Sequence, residues 1–74
     1  MNEEIFIEKM IDLMDTDEVI NMDSLLVNIE EWDSLSYVAF LAMSSMFSDK
    51  EIAPIDVKNA KTIGDLYKLL KNEE

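Results

Sequence analysis

The chain has no cysteine and no histidine. Without cysteine there is no disulfide, no thiolate metal site and no thiol nucleophile. Without histidine the commonest general base and the commonest transition-metal ligand are missing. One glycine and one proline among 74 residues leave few chain breakers, which favours helices over a turn-rich β fold. No uncharged run approaches the length of a membrane span. The opening MNEEIFIEKM is acidic and lacks a long apolar core, so it does not read as a secretory leader. A cytoplasmic protein is the expectation.

Positive charge is also scarce. Six lysines and no arginine face 17 acids, for a formal charge of −11. The acids are unevenly placed: residues 1–33 hold eleven against one lysine, and residues 34–48 hold no charge at all. Such a chain is a poor partner for nucleic acid or an anionic membrane. It suits basic protein partners steered in from a distance, or the acids serve solubility alone. A monomer is expected. At this length one domain spans 1–74 with a small core, built from a composition that is 49% hydrophobic.

The spacing predicts an amphipathic helix over 3–14, capped by Asn2, with Ile5, Phe6, Met10, Leu13 and Met14 inward. Residues 15–32 read as a long ordered loop. Its apolar pieces, Val19–Ile20 and Leu25–Leu26–Val27, would cap the core, with a helical turn from Asp23 or Ser24. A second helix is predicted over 34–47, with Asp33 as N-cap and Ser34 in the first turn. Its bulky stripe of Tyr37, Phe40, Leu41, Ser44 and Phe47 is the better core candidate. Ser44 interrupts that stripe, but its hydroxyl can bond a carbonyl one turn back. Asp49–Lys50–Glu51 ends the helix, Pro54 marks a turn, and 56–60 reads as one short helical turn. Thr62 and Asp65 form a capping pair for a last helix, Ile63 to Lys71, with Ile63, Leu66, Tyr67 and Leu70 inward. Gly64 near its start costs up to about 1 kcal/mol relative to alanine. The expected fold is all-α: a small four-helix bundle with three longer helices and one short.

Few residues are suited to chemistry. A serine–histidine–aspartate arrangement is impossible, and no lysine lies near Ser34 in sequence to make a serine–lysine pair. A calcium loop starting at Asp15 would need Gly and Glu where Ile20 and Leu26 stand. Nothing indicates a cleft that would tune a carboxylate pair, so no enzymatic activity, catalytic residue or metal is expected. What remains is a serine at a helix N-terminus, where free backbone N–H groups and the helix dipole favour an attached anion. The triplet Asp-Ser-Leu occurs twice, at Asp23–Ser24–Leu25 and at Asp33–Ser34–Leu35. Only Ser34 opens the uncharged helix; Ser24 reads as a local cap in the loop.

With these features in this order the chain resembles the acyl carrier protein family over nearly its full length. The resemblance rests on Asp33–Ser34–Leu35, the long helix after it, Phe47, Ile52 with Pro54, Leu25, and Thr62 to Tyr67. It implies that Ser34, flanked by Asp33 and Leu35, receives 4′-phosphopantetheine from coenzyme A through a magnesium-dependent phosphopantetheinyl transferase. The terminal thiol would hold acyl groups as thioesters, and acyl-loading and acyl-transfer enzymes would be the further partners. An imported thiol is consistent with a chain that has neither cysteine nor histidine. Trp32 stands where fatty-acid carriers usually have glycine, so of the two pathways the resemblance implies, fatty-acid synthesis and a specialised biosynthetic pathway, it favours the second. Ser36, Ala39, Ser45 and Met46 stand where those carriers bear acids on the second helix. Docking would then use Leu35, Val38, Ala39, Ala42 and Met46, with steering from acids ahead of Ser34. Phe47 falls one residue early, with Ser48 in the usual aromatic place, which implies a local shift at the helix end. An aminoacyl or peptidyl carrier, and an acidic helical adaptor that carries nothing, are the alternatives.

Overall fold

A computed structural model of the chain describes residues 2–47 and 52–71, the side chain of Phe47 excepted. The predicted residues 49–51 at the end of the second helix, Ser48, and the inward place given to Phe47 lie outside the described residues.

Asn2 starts the first helix, α1 (Glu3–Met14), by accepting the Ile5 N–H on its side chain at 2.8 Å. Glu3 and Glu4 in its first turn complement the helix dipole. Phe6, Met10 and Met14 form its buried row, with Ile7, Ile11 and Leu13 packed beside them. Ile5, expected inward, is exposed: it lies across the cylinder from the row that Phe6 and Met10 define. The helix ends on Asp15, which takes the left-handed conformation at φ 54°. The Thr16 N–H then returns to the Ile11 carbonyl at 3.3 Å, a Schellman-type bond.

The loop that follows does cap the core, but with fewer of its apolar residues than expected. Ile20, Leu26 and Ile29 are buried, whereas Val19 and Val27 point to solvent and Leu25 is largely exposed. Its helical turn is a short 3-10 piece at Leu26–Asn28, starting later than Asp23 or Ser24. The reason is that Met22 to Leu26 runs antiparallel beside Lys61–Gly64. Leu26 N–H donates to the Lys61 carbonyl (2.8 Å), Ile63 N–H to the Ser24 carbonyl (3.1 Å) and Gly64 N–H to the Met22 carbonyl (2.8 Å). An extended segment pinned this way presents Leu26, and not Leu25, to the core.

The second helix, α2 (Ser34–Phe47), has the predicted bounds, and its bulky stripe from Tyr37 to Ser44 faces as predicted. Phe40 and Ser44 are buried, and Tyr37 and Leu41 pack against the core. The Ser44 hydroxyl donates to the Leu41 carbonyl at 2.8 Å, so a polar residue is tolerated inside. The third helix, α3 (Pro54–Asn59), begins two residues before the expected 56–60. Proline is favoured at the first helical position, where its missing N–H costs nothing, so Pro54 opens the helix and does not only precede it. Val57 is its buried residue, and Ile55 is exposed. The Tyr37 hydroxyl ties α2 to this start by donating to the Pro54 carbonyl at 3.0 Å.

The fourth helix, α4 (Ile63–Lys71), opens on a reciprocal cap. Asp65 N–H donates to Thr62 Oγ1 (3.0 Å), while Asp65 Oδ2 accepts from the N–H groups of Thr62 (3.2 Å) and Lys61 (3.0 Å). Ile63, Leu66, Tyr67 and Leu70 are all buried, as predicted. The described residues thus form a small all-α bundle of three longer helices and one short, in which α1 packs on α2 and α4 and α3 packs on α4.

An aromatic chain crosses the bundle. Trp32 stands edge-on to Phe40 (6.3 Å, 75°), Phe40 edge-on to Phe6 (6.4 Å, 88°), and Phe6 against Tyr67 (5.1 Å). Such pairs add about 0.5–1.5 kcal/mol each beyond their buried area. Among the described residues no helix is long and apolar enough to cross a membrane.

Candidate functional site

Asp33 fixes the start of α2 with two acceptors. Its Oδ1 accepts the Ser36 N–H at 3.0 Å and its carbonyl accepts the Tyr37 N–H at 2.9 Å. Ser34 is therefore the first helical residue. Its side chain is exposed and makes no hydrogen bond among the described residues. The Ser34 and Leu35 N–H groups likewise find no acceptor there, because the cap serves the next two. An exposed hydroxyl thus stands beside two uncommitted donors at the positive end of a fourteen-residue helix.

Ser24, in the other triplet, is placed differently. It is half-buried, its hydroxyl accepts the Asn21 N–H at 2.9 Å, and its carbonyl accepts the Ile63 N–H. Ser24 closes the loop against α4, so its hydroxyl is committed to structure.

The segment before Ser34 is anchored to the core. Trp32 N–H donates to the carbonyl of the buried Ile29 at 3.1 Å, and the indole packs on Phe40. A glycine at position 32 would have no side chain to place there. Ser36, grouped at sequence level with helix-surface positions, is buried instead, and its hydroxyl donates to the Glu31 carbonyl at 2.7 Å. It precedes Phe40 by four residues and so shares the inward row, a signal readable from the spacing alone.

The remaining surface residues of α2 spread over its outer side. Leu35 (80% exposed), Val38 (60%) and Met46 (78%) project into solvent, and Ala42 is exposed between them. Ala39 is half-buried at the margin of this face. The face carries no charge, while Glu30 and Asp33 are exposed just ahead of it. Between α2 and the start of α3 a hollow of about 190 Å³ is lined by Leu41, Ser44, Ser45, Ile52 and Pro54. A larger, open cleft of about 640 Å³ is bordered by Met22, Thr62, Gly64, Tyr67 and Lys71, and Ser34 is not part of it.

A covalently attached phosphodiester fits the residues present at Ser34. The attachment oxygen is exposed, two backbone donors are open beside it, and the one adjacent carboxylate, Asp33, is turned to the Ser36 N–H while no side chain of α2 itself is charged. Comparison with protein-family models, with curated proteins and with solved structures finds no match.

Proposed function

We propose that the chain is an acyl carrier protein, with 4′-phosphopantetheine attached to Ser34, that passes acyl intermediates between partner enzymes of fatty-acid synthesis or, in better accord with Trp32 and the uncharged second helix, of a specialised biosynthetic pathway. One observation carries the reading. Of two Asp-Ser-Leu triplets, one serine is exposed and unbonded at the N-terminus of the long uncharged helix, and the other is tied into the loop.

In this reading Ser34 Oγ attacks the β-phosphorus of coenzyme A on a phosphopantetheinyl transferase. The bond from that phosphorus to the bridging oxygen breaks, adenosine 3′,5′-bisphosphate leaves, and the Ser34 proton passes to a base of the transferase. Once attached, the group supplies a thiol that holds acyl chains as thioesters. The chain's own residues do the rest. Asp33 holds the first turn, the Ser34 and Leu35 N–H groups would be the donors open to the phosphodiester, and Leu35, Val38, Ala39, Ala42 and Met46 would meet acyl-loading and acyl-transfer enzymes. Acids ahead of Ser34 steer basic partners in. The hollow beside Leu41 and Ile52 offers apolar shelter to a short acyl chain. A monomer acting in the cytoplasm suits this composition.

The test is intact mass after incubation with coenzyme A, magnesium and a phosphopantetheinyl transferase. Wild type and Ser24→Ala gain one phosphopantetheine, and Ser34→Ala gains none. An unmodified wild type with several transferases would overturn the reading. A partner that binds Ser34→Ala as tightly as unmodified wild type, with no mass gain, would make the chain an adaptor instead.

A further inference from the structure

Glu31 is bonded at both ends. Its Oε1 accepts from Thr16 Oγ1 at 3.0 Å, and its carbonyl accepts from Ser36 Oγ at 2.7 Å and from the Asp33 N–H at 3.0 Å. The two hydroxyls that reach it belong to residues only 5% exposed, Thr16 and Ser36. Thr16 is itself fixed: its N–H returns to Ile11 at the end of α1, and its Oγ1 accepts the Glu18 N–H at 3.1 Å. Ser36 N–H in turn donates to Asp33 Oδ1. A continuous run of hydrogen bonds therefore leads from the last turn of α1 through Thr16, Glu31 and Ser36 to the first turn of α2. It passes round Ser34 without engaging its hydroxyl.

We propose that Glu31 is a positioning residue for modification of Ser34. It sets the first turn of α2 against the end of α1, so that the Ser34 hydroxyl is presented in one place to an incoming transferase. The inference rests on the carrier reading above. Buried hydroxyls need an acceptor, and Glu31 supplies one to each. Its side-chain length matters because it spans from the segment before Ser34 back to Thr16. Holding a nucleophile in place ahead of reaction removes part of the entropic barrier, and misplacement by about 1 Å can cost up to about 100-fold.

Thr16 and Glu31 give a test that separates position from charge and from contact. Thr16 is buried and cannot touch the transferase, so any effect of Thr16→Val on loading acts through the network. Glu31→Gln keeps an acceptor of the same length and removes the charge; Glu31→Ala removes both. Loading of Ser34 is followed by intact mass well below each variant's melting midpoint. Thr16→Val and Glu31→Ala are expected to lose about tenfold in kcat/KM, mostly in kcat, while Thr16→Ser and Glu31→Gln recover the rate. A second readout uses the unmodified protein. The Ser36 and Tyr37 amides should exchange faster in Thr16→Val, relative to the core amide of Phe40.

Variants that melt earlier but load at the wild-type rate would leave Glu31 a purely structural residue. Glu31→Gln as slow as Glu31→Ala would assign the effect to charge and overturn the proposal. Faster exchange at Phe40 equal to that at Ser36 would show general loosening and overturn it as well. Wild type that loads while these outcomes occur sinks only this inference; wild type that never loads sinks the carrier reading and this one with it.

Discussion

Gly64 donates its N–H to the Met22 carbonyl at 2.8 Å, and a Cβ on Gly64 would stand 2.9 Å from that same oxygen. The α1–α2 loop and the start of α4 are so close here that no side chain fits between them. The glycine serves close approach, since its φ is not positive.

Gly64→Ala sets two effects against each other. Alanine favours an α-helix over glycine by about 1 kcal/mol. Against this, the new methyl must push on a backbone carbonyl, which cannot swing aside as a side-chain end can. Overpacking of this kind costs about 1–3 kcal/mol. We expect net destabilisation and a melting point lower by several degrees. A higher melting point would show that the loop yields.

Asp15 pays a conformational cost at the end of α1. It holds φ 54° and ψ 47°, a region glycine enters freely and other residues enter with strain. Asp15→Gly should stabilise the protein, and Asp15→Ala is the control, because both remove the same charge. Thermal melts should place the glycine variant above the alanine variant by about 1 kcal/mol, several degrees for a domain of this size. Equal melting points would show that the left-handed turn relaxes without cost.

Asp65 makes the cap of α4 sensitive to acid. The Lys61 N–H does most to hold its carboxyl below the ordinary value; desolvation opposes this, and the Thr62 N–H, Lys68 and the Thr62 hydroxyl add to it. A carboxylate with a depressed folded pKa stabilises the fold at pH above its unfolded value, about 3.9, and that stability is lost as pH falls through the folded value. Urea midpoints of wild type and Asp65→Asn should therefore differ most near pH 6 and converge below about pH 4. A gap independent of pH would mean that the amide caps as the carboxylate does.

Helix ends were legible wherever a side chain announces them. Asn2, Asp33 and the Thr62–Asp65 pair each cap the helix they were expected to cap, and the bounds of α1, α2 and α4 follow. The loop was less legible because its register is set by a distant segment. Nothing local distinguishes Leu25 from Leu26, and only the pairing with Lys61–Gly64 turns one out and the other in. At the site, the exposed place of Ser34 follows from its position after the cap. The network through Thr16 and Glu31 does not, because it joins residues fifteen apart through a loop with no periodicity.

The buried row and the outer face of α2 are expected to answer differently to substitution. Phe40 is fully buried between Phe6 and Trp32, so Phe40→Ala removes two ring contacts and opens a cavity. A loss of about 3–5 kcal/mol is expected, enough to unfold most of a small domain. Met46 and Val38 project into solvent, and an acid placed there meets water and no packed neighbour. Met46→Glu and Val38→Glu should shift stability by less than about 0.5 kcal/mol. Ala39 is half-buried, so Ala39→Glu should cost more than either. If partners dock on this uncharged face, the same two acids should slow acyl transfer to a partner enzyme from fully loaded protein, since each must be desolvated against an apolar surface. Paired melts and transfer rates separate the effects. Stable variants with undiminished transfer would remove this face from the docking surface, while a large drop in melting point for Met46→Glu would place Met46 in the core.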